Sequence, residues 1–461
     1  MKTLKLSILT IALMLVAGCE VLDLQPQASL PADQAYTTRS GIRGGLTGAY
    51  SALQSGNYYG LRHFVLSDMA ADNLNHTGTF PSFLQIKQRN ILPNNAEITN
   101  YWNTVYNAIN RVNTLIAAIP EVVDDAYTTA DRNSDLGEAR FLRGFHYFNL
   151  MLWYGGSPDG FGFDGEGLPL VTTPTRVPAD ASPVPKSPED DIWNFIIADL
   201  EFAASNINNA GKVPAFASTL AARAMLAKVH LYLRNYQQAI DAINNPTPLI
   251  TGTGSDLVPN FKDIWEVKNT AEAIFELQFD PVNSNAIAFF YFPTSAGGRN
   301  EVSPVSRTAM GFDATDQRGP VTVATSPAGT TRKAFRIATG DDHVVIIRKG
   351  EIYLTLAECL ARRNDPGDLT AAFNLVNRIR ARAGLTPLDV TLETDQVGLI
   401  NAILTERRKE LALEGDRWFD LRRRGVADDL FFPTEPFRAL WPIPEREINA
   451  HAGVLTQNPG Y

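Results

Sequence analysis

The densest group of charged residues in the chain is TERRKELALEGDRWFDLRRRG, residues 405 to 425. Opposite charges recur three and four residues apart in this run, the spacing at which neighbours on a helix form ion pairs. Its arginines would suit phosphate binding only in basic surroundings, and these surroundings are acidic. We therefore expect the arginine guanidinium groups to form paired hydrogen bonds with carboxylates. The apolar side chains of the same run are expected to pack into the core. These side chains are Leu411, Leu413, Trp418, Phe419 and Leu421.

The overall charge excludes one class of partner. Lysine and arginine number 41 against 50 aspartates and glutamates, which gives a formal net charge of −9 at pH 7. Such a surface repels phosphate backbones, and no basic tail or stripe offsets it. Nucleic acid is not expected as a partner.

No pattern of catalytic or metal-binding residues stands out. The histidines form no H-E-x-x-H or Cys-His cluster, and a nucleophile elbow, a P-loop and a dinucleotide fingerprint are all missing from the sequence. Asp313 with Asp316, and Asp341 with Asp342, could offer oxygens to calcium, but without an EF-hand pattern they are interpreted as solvated acids. We predict no metal, no cofactor and no enzymatic activity. Two carboxylates from distant segments could still flank a glycosidic bond, so a surface glycosidase stays an alternative.

Cys19 follows the first hydrophobic run, in LVAGCEVLDLQP. Residues 1 to 18 have the basic start and short apolar core of a signal peptide. The run V-A-G-C resembles a bacterial lipobox, which predicts an acylated Cys19 and a lipidated tether over residues 19–36. An ordinary leader with an incidental cysteine is the alternative. Cys359 lies in an apolar helical run and is interpreted as a core residue rather than a reactive thiol.

The remaining elements are mostly helical. Apolar residues recur three and four apart in several stretches between residues 38 and 206, and Ser187 and Pro188 are placed to begin the helix over SPEDDIWNFIIADL. Residues 218–243 and 350–385 resemble tetratricopeptide hairpins, with small residues where two helices approach. Those small residues are Ala227 and Ala239 in the first hairpin, and Ala357 and Ala372 in the second. Residues 249–345 instead predict a loop-rich lobe, with a strand in AEAIFELQFD.

The C-terminal run, together with LWPIP, LTQNPGY, YWNTVYNAINRVN and EARFLRGFHYFNLMLWYGGSP, resembles the SusD/RagB family of Bacteroidetes outer-membrane lipoproteins. The resemblance runs from Cys19 to Tyr461. It implies a mainly α fold for residues 37–461. Tetratricopeptide-like hairpins would form a right-handed scaffold over about 37–248 and 346–430, with the variable lobe over about 249–345. It also implies a non-catalytic lipoprotein on the cell surface, which passes a glycan to a SusC-like TonB-dependent transporter. The hairpin at 218–243 is the candidate transporter surface.

Sugars are recognised by aromatic rings beside polar side chains. Two stretches have this composition, DNLNHTGTFPSF at 72–83 and FFYFPTSAGGRN at 289–300. The predicted ligand-binding residues are Asn75, His76, Phe80, Phe83, Tyr291, Phe292 and Arg299. The alternative is that the aromatic rings only pack beneath the loops.

Three other functions remain open from the sequence. The ligand could be a peptide rather than an oligosaccharide, since neither stretch contains tryptophan. The chain could be a helical scaffold that binds only proteins, or the surface glycosidase already named.

Overall fold

The computed structural model describes residues 35–162, 165–324, 330–331, 333–451 and 453–461, so the predicted leader, Cys19 and most of the tether lie outside the described residues. The helices are α1 (Arg39–Leu53), α2 (Arg62–Ala70), α3 (Pro81–Lys87), α4 (Ala96–Ala118), α5 (Thr129–Tyr154), α6 (Glu189–Asn206), α7 (Thr219–Tyr232), α8 (Tyr236–Asn244), α9 (Asp263–Glu266), α10 (Ile287–Tyr291), α11 (Gly319–Thr322), α12 (Lys349–Arg363), α13 (Asp368–Arg382), α14 (Gln396–Glu410), α15 (Arg417–Arg422), α16 (Ala427–Phe431) and α17 (Glu445–Ala450). The strands are β1 (Leu74–His76), β2 (Glu166–Pro169), β3 (Lys186–Pro188), β4 (Ala273–Leu277), β5 (Val302–Pro304) and β6 (Val344–Arg348). Among these helices, none has the length and apolar character needed to cross a membrane. The mainly α fold class is confirmed.

The long helices pack against one another in chain order. α4 packs on α5, α5 on α6, α6 on α7, and α7 on α8, which in turn packs on α12. α5 lies at the centre and is buried almost all round over its second half. Side-chain caps fix where several of these helices begin: Asn95 accepts a hydrogen bond from the amide of Glu97, and Thr128 accepts one from Asp131. The scaffold is therefore a continuous row of helices sharing one apolar core.

The start of α6 differs from the sequence expectation. Ser187 was expected to cap the helix, but it lies in strand β3, and Pro188 occupies the N-cap position without a side-chain cap. Glu189 instead turns inward, and its carboxylate accepts hydrogen bonds from the amide of Gly162 (2.8 Å) and the indole of Trp193 (2.8 Å). The prediction that Ser187 caps the helix was wrong because a local sequence pattern cannot show that residue 187 belongs to a strand paired with a distant segment.

Both predicted helical hairpins are confirmed. α7 and α8 join at Arg234, whose φ of +61° gives the left-handed turn, and α12 and α13 join through Asn364 (φ +58°) and Gly367 (φ +90°). The four small residues named from the sequence, Ala227, Ala239, Ala357 and Ala372, are completely buried. Small side chains at these points allow the helices to approach closely.

The strands form three separate antiparallel pairs. β1 pairs with β5, β2 with β3, and β4 with β6. β4 lies within AEAIFELQFD, so that strand prediction is confirmed. The limits of the loop-rich lobe at 249 and 345 stay a prediction.

Glu410, at the end of α14, is the first of two centres in a buried ion network. Its carboxylate accepts hydrogen bonds from Arg348 (2.6 Å), Arg318 (3.0 Å) and Arg382. Burial alone would raise the pKa of Glu410, but these three guanidinium groups outweigh it and hold the pKa well below its usual range. The C-terminal run is thereby tied to the lobe, to β6 and to α13.

Arg407, one turn before Glu410, is the second centre. It donates to Asp416 (2.6 Å) and Asp420 (2.8 Å) and is completely buried. Arg423 continues the network by donating to both oxygens of Glu358 on α12 (2.9 and 2.6 Å). The apolar residues expected to pack inward, Leu411, Leu413, Trp418, Phe419 and Leu421, are all buried. The interpretation of residues 405–425 as a structural element is therefore confirmed. Most ion-pair partners of its charged side chains, however, lie on other elements and not three or four residues away on the same helix.

Replacing Glu410 with glutamine should leave three arginines without their shared carboxylate. Removing one partner of a buried ion pair costs about 3–5 kcal/mol, so the free energy of unfolding of Glu410→Gln should fall by about that amount at pH 7 in urea denaturation. The matched control is Glu435→Gln, because Glu435 is an exposed partner of Arg438 and should leave the midpoint unchanged. A Glu410→Gln protein as stable as the parent would show that the network contributes nothing to stability.

Candidate functional site

The two stretches predicted to bind ligand lie side by side. β1 and β5 pair antiparallel, with Asn75 opposite Ser303 and His76 opposite Val302. The pairing brings the loop after β1 next to the segment that ends at Asn300. Residues more than 200 positions apart in the chain thus form one surface.

The carboxylate of Glu301, whose side chain is fully buried, organises this surface. It accepts hydrogen bonds from the amide of Phe80 (2.8 Å), from Nε2 of His76 (3.0 Å) and from Nε of Arg299 (3.0 Å). Burial alone would raise the pKa of Glu301, but these hydrogen bonds outweigh it and hold the pKa below its ordinary value. Gly78 is required beside it, since a side chain there would run into Glu301. Glu301 therefore orients His76, Phe80 and Arg299 together.

Arg299 and Phe80 stack on each other. The guanidinium carbon of Arg299 lies 3.8 Å from the centroid of the Phe80 ring, a cation–π distance. The rings of Phe83 and Phe290 support Phe80 from below, with centroids 5.7 and 6.2 Å from it. Arg299 and the half-buried ring of Phe80 are thus held in place by the rings of Phe83 and Phe290.

Phe289 is the exposed aromatic residue that the sequence analysis missed. Its side chain is 44% exposed, whereas Ile287, Ala288, Phe290 and Tyr291 on the same short helix, α10, are buried. The backbone carbonyl of Phe289 accepts a hydrogen bond from the amide of Arg299 (2.6 Å), which joins it to the stacked pair. The segment was interpreted as a loop; a helical period would have indicated that one of its aromatic residues faces outward.

The seven predicted residues fall into two groups. Asn75 is exposed, Phe80, Phe292 and Arg299 are half-buried, and the side chain of His76 is only 8% exposed. Phe83 and Tyr291 are buried, at 0% and 3% exposure, and serve as packing residues, which corrects their proposed role in ligand contact. We define the platform as Asn75, His76, Phe80, Phe289 and Arg299.

Tyr291 borders a cavity of about 60 Å³ rather than the platform. Lys228 lines the same cavity and forms ion pairs with Glu351 and Asp416, each at 2.9 Å. Its charge is thus balanced by neighbours. A space of this size holds a few water molecules and is too small for a sugar ring.

Two further expectations concern reactive groups. Cys359 is completely buried, and burial raises the pKa of its thiol well above the ordinary value, so its interpretation as a core residue is confirmed. Among the described residues, no group of three or more histidines, cysteines and acids is placed to hold a metal ion.

The structure is a row of packed helices that carries aromatic rings and an arginine on paired segments. Two family models match the chain: "SusD family" over residues 325–435 and "Starch-binding associating with outer membrane" over residues 20–231. The chain belongs to the SusD-like family, a family of binding proteins.

Relatives of known sequence match over nearly the whole chain. SusD-like protein P38 of Formosa agariphila is 26% identical over 95% of this chain and 94% of its own length. SusD-like protein P2 of the same organism is 24% identical over the full length of both.

Solved structures share the fold. A SusD superfamily protein from Bacteroides vulgatus superposes with a TM-score of 0.75 at 23% identity, covering 92% of this chain and 100% of that one. A laminarin binding SusD-like protein superposes with a TM-score of 0.72 at 22% identity, and surface glycan-binding protein A from Bacteroides fluxus with a TM-score of 0.74 at 22% identity. Both cover 92% of this chain and 100% of their own.

The pKa of Glu301 predicts how the platform responds to pH. Because the folded-state pKa is lowered, the stabilisation from this carboxylate is complete above the unfolded value of about 4.3 and is lost as the pH falls through the folded value. Glu301→Gln should therefore be less stable than the parent at pH 7, and the difference should shrink as the pH is lowered toward 3.5. Urea denaturation at a series of pH values measures it. A stability difference that does not change with pH would contradict an ionised Glu301 at the centre of the site.

Proposed function

We propose that this protein binds a glycan at the cell surface and retains it without chemical change. The observation that carries the proposal is the exposed Phe289 beside Arg299, which is held on the Phe80 ring by Glu301. An aromatic face suits the apolar side of a sugar ring, while Arg299 and Asn75 offer hydrogen bonds to its hydroxyl groups.

The comparisons support the ligand class. Two proteins of the same fold are a laminarin binding SusD-like protein and a surface glycan-binding protein. One matched family model is described as starch-binding and associated with the outer membrane. That description supports our proposal that the protein works at the outer membrane. We also propose that a lipid on Cys19 anchors it there, as the lipobox-like run V-A-G-C predicts.

Substituting Phe289 tests the platform without disturbing the core, because this ring is exposed. Isothermal titration with laminarihexaose, maltoheptaose, cellohexaose and xylohexaose should identify at least one oligosaccharide that binds. Phe289→Ala should weaken the affinity of the protein for that oligosaccharide about five- to tenfold, which corresponds to a loss of about 1–1.4 kcal/mol of binding free energy. Val282→Ala is the matched control, since Val282 is 97% exposed in the same region and lies outside the platform.

The same samples decide between the alternatives. The bound oligosaccharide should be recovered at its original length, because we propose binding without hydrolysis. Shortened products would indicate a glycosidase. If no oligosaccharide gives a heat of binding and a mixed peptide library does bind, the ligand is a peptide, which is the alternative left open by the sequence.

We further propose that the protein delivers its ligand to a SusC-like TonB-dependent transporter. The α7–α8 hairpin is the proposed contact surface. Its buried residues belong to the main core, but Gln237, Gln238 and Asp241 on α8 are exposed. An exposed face on a rigid hairpin suits a stable protein partner.

Charge changes on α8 test this contact while the core stays intact. The double variant Gln238→Lys/Asp241→Lys should lose co-purification with the transporter from detergent-solubilised outer membranes, because it reverses the charge of the face. The control Glu201→Lys places a lysine at an exposed position of α6 and should co-purify normally. Equal recovery of the transporter with both variants would exclude this face of α8 as the contact.

A further inference from the structure

A second cleft lies between α4 and the C-terminal segment, away from the platform. Its volume is about 250 Å³, and it shares no residue with the platform. Trp102 and Tyr106 of α4 form one wall, and Glu447 and His451 stand at the other. The remaining lining residues come from α4, the segment 169–184 and the C-terminal end: Asn103, Asn107, Pro169, Val171, Ser182, Val184 and Leu455.

The aromatic wall is held rigidly. The rings of Trp102 and Tyr106 lie 4.7 Å apart, and Trp102 meets Tyr154 edge to face at 5.0 Å. The hydroxyl of Tyr106 donates a hydrogen bond to the carbonyl of Pro169 at 2.9 Å, which fixes the Tyr106 ring in the wall of the cleft. Trp102 is 3% exposed and Tyr106 is half-buried, so the ring that the cleft presents to a ligand is mainly that of Tyr106, with Trp102 packed behind it.

The polar groups around the wall are unpaired, unlike their neighbours. On the same side of α4, Asn110 bonds both the carbonyl and the amide of Thr175, and Asn113 bonds the carbonyl of Val171. By contrast, the side chains of Asn107 and Asn103, one and two turns before Asn110, have no hydrogen-bond partner within the described part of the chain; Asn107 is exposed and Asn103 is half-buried.

The opposite wall repeats this pattern. The carboxylate of Glu447 likewise lacks a partner among the described residues, and Nδ1 of His451 is buried with none. Leaving a buried polar atom unpaired costs about 1–3 kcal/mol, so such atoms are normally satisfied by water or a ligand. The cleft therefore presents one buried polar atom without a partner, Nδ1 of His451, and three polar side chains that solvent reaches, Asn103, Asn107 and Glu447.

The chemistry of these groups selects a neutral, hydroxylated ligand. Amides both donate and accept hydrogen bonds and a carboxylate only accepts, a combination that hydroxyl groups can satisfy. The lining contains no lysine or arginine, and the Glu447 carboxylate repels anions. Burial, the nearby Tyr147 and this carboxylate raise the pKa of Tyr106, which keeps its hydroxyl neutral.

We propose that this cleft is a second saccharide-binding site, which accepts one or two neutral sugar rings. The proposal shares its ligand class with the proposed function but rests on different residues. The size of the cleft matches a short part of a chain rather than a long polymer. A glycan held at the platform and another held here would give the protein two separate points of attachment.

Tryptophan fluorescence of the mature full-length chain tests the cleft, because Trp102 lies in its wall. Titration with laminaribiose, maltose, cellobiose and xylobiose should give a saturable change with at least one disaccharide. Asn107→Ala and Glu447→Gln should each weaken that binding at least fivefold. The control Asn100→Ala removes an exposed asparagine of α4 that lies outside the cleft and should bind as the parent does.

Failure of the cleft and failure of the platform give different results. Phe289→Ala should leave the disaccharide titration unchanged if the cleft acts independently. Saturable binding that is lost in Phe289→Ala but retained in Asn107→Ala and Glu447→Gln would overturn the cleft and leave the platform standing. No saturable signal with any disaccharide would also overturn the cleft, whatever the platform binds.

Discussion

The buried ion network around Glu410 and Arg407 is the interaction on which the rest of the structure depends. It joins the end of α14 to the lobe through Arg318, to β6 through Arg348 and to α13 through Arg382. Buried pairs of this kind add little net stability over an apolar core, but their charges are satisfied in only one arrangement of the elements. The network therefore fixes the segment before α11, β6 and α13 against the end of α14.

The sequence predicted the scaffold well because its signals are local. Helical spacing and small residues located both hairpins, and the left-handed residues Arg234 and Asn364 lie at the predicted turns. The interpretation of residues 405–425 as structure was also correct. Its partners were not predicted, since a charge pattern cannot say which distant arginine reaches Glu410.

The binding surface was predicted less completely because it depends on contacts between distant residues. Composition found Phe80 and Arg299, but the three-residue strands that bring their segments together carry no register information of their own. Phe289 was missed because its place on the outer side of a five-residue helix depends on what the other four residues bury. The cleft was missed for a related reason. Its two walls come from distant parts of the chain, since Glu447 and His451 reach α4 from the C-terminal end.

Together these features describe a binding protein whose scaffold is fixed and whose ligand surface is preformed. Hydrogen–deuterium exchange with and without a saturating oligosaccharide tests this directly. Amides of 74–80 and 287–301 should exchange more slowly when ligand is bound, while those of 405–422 should be slow in both states and unchanged. Faster or slower exchange in 405–422 on binding, or no protection in the two platform segments, would contradict a preformed platform on a rigid scaffold.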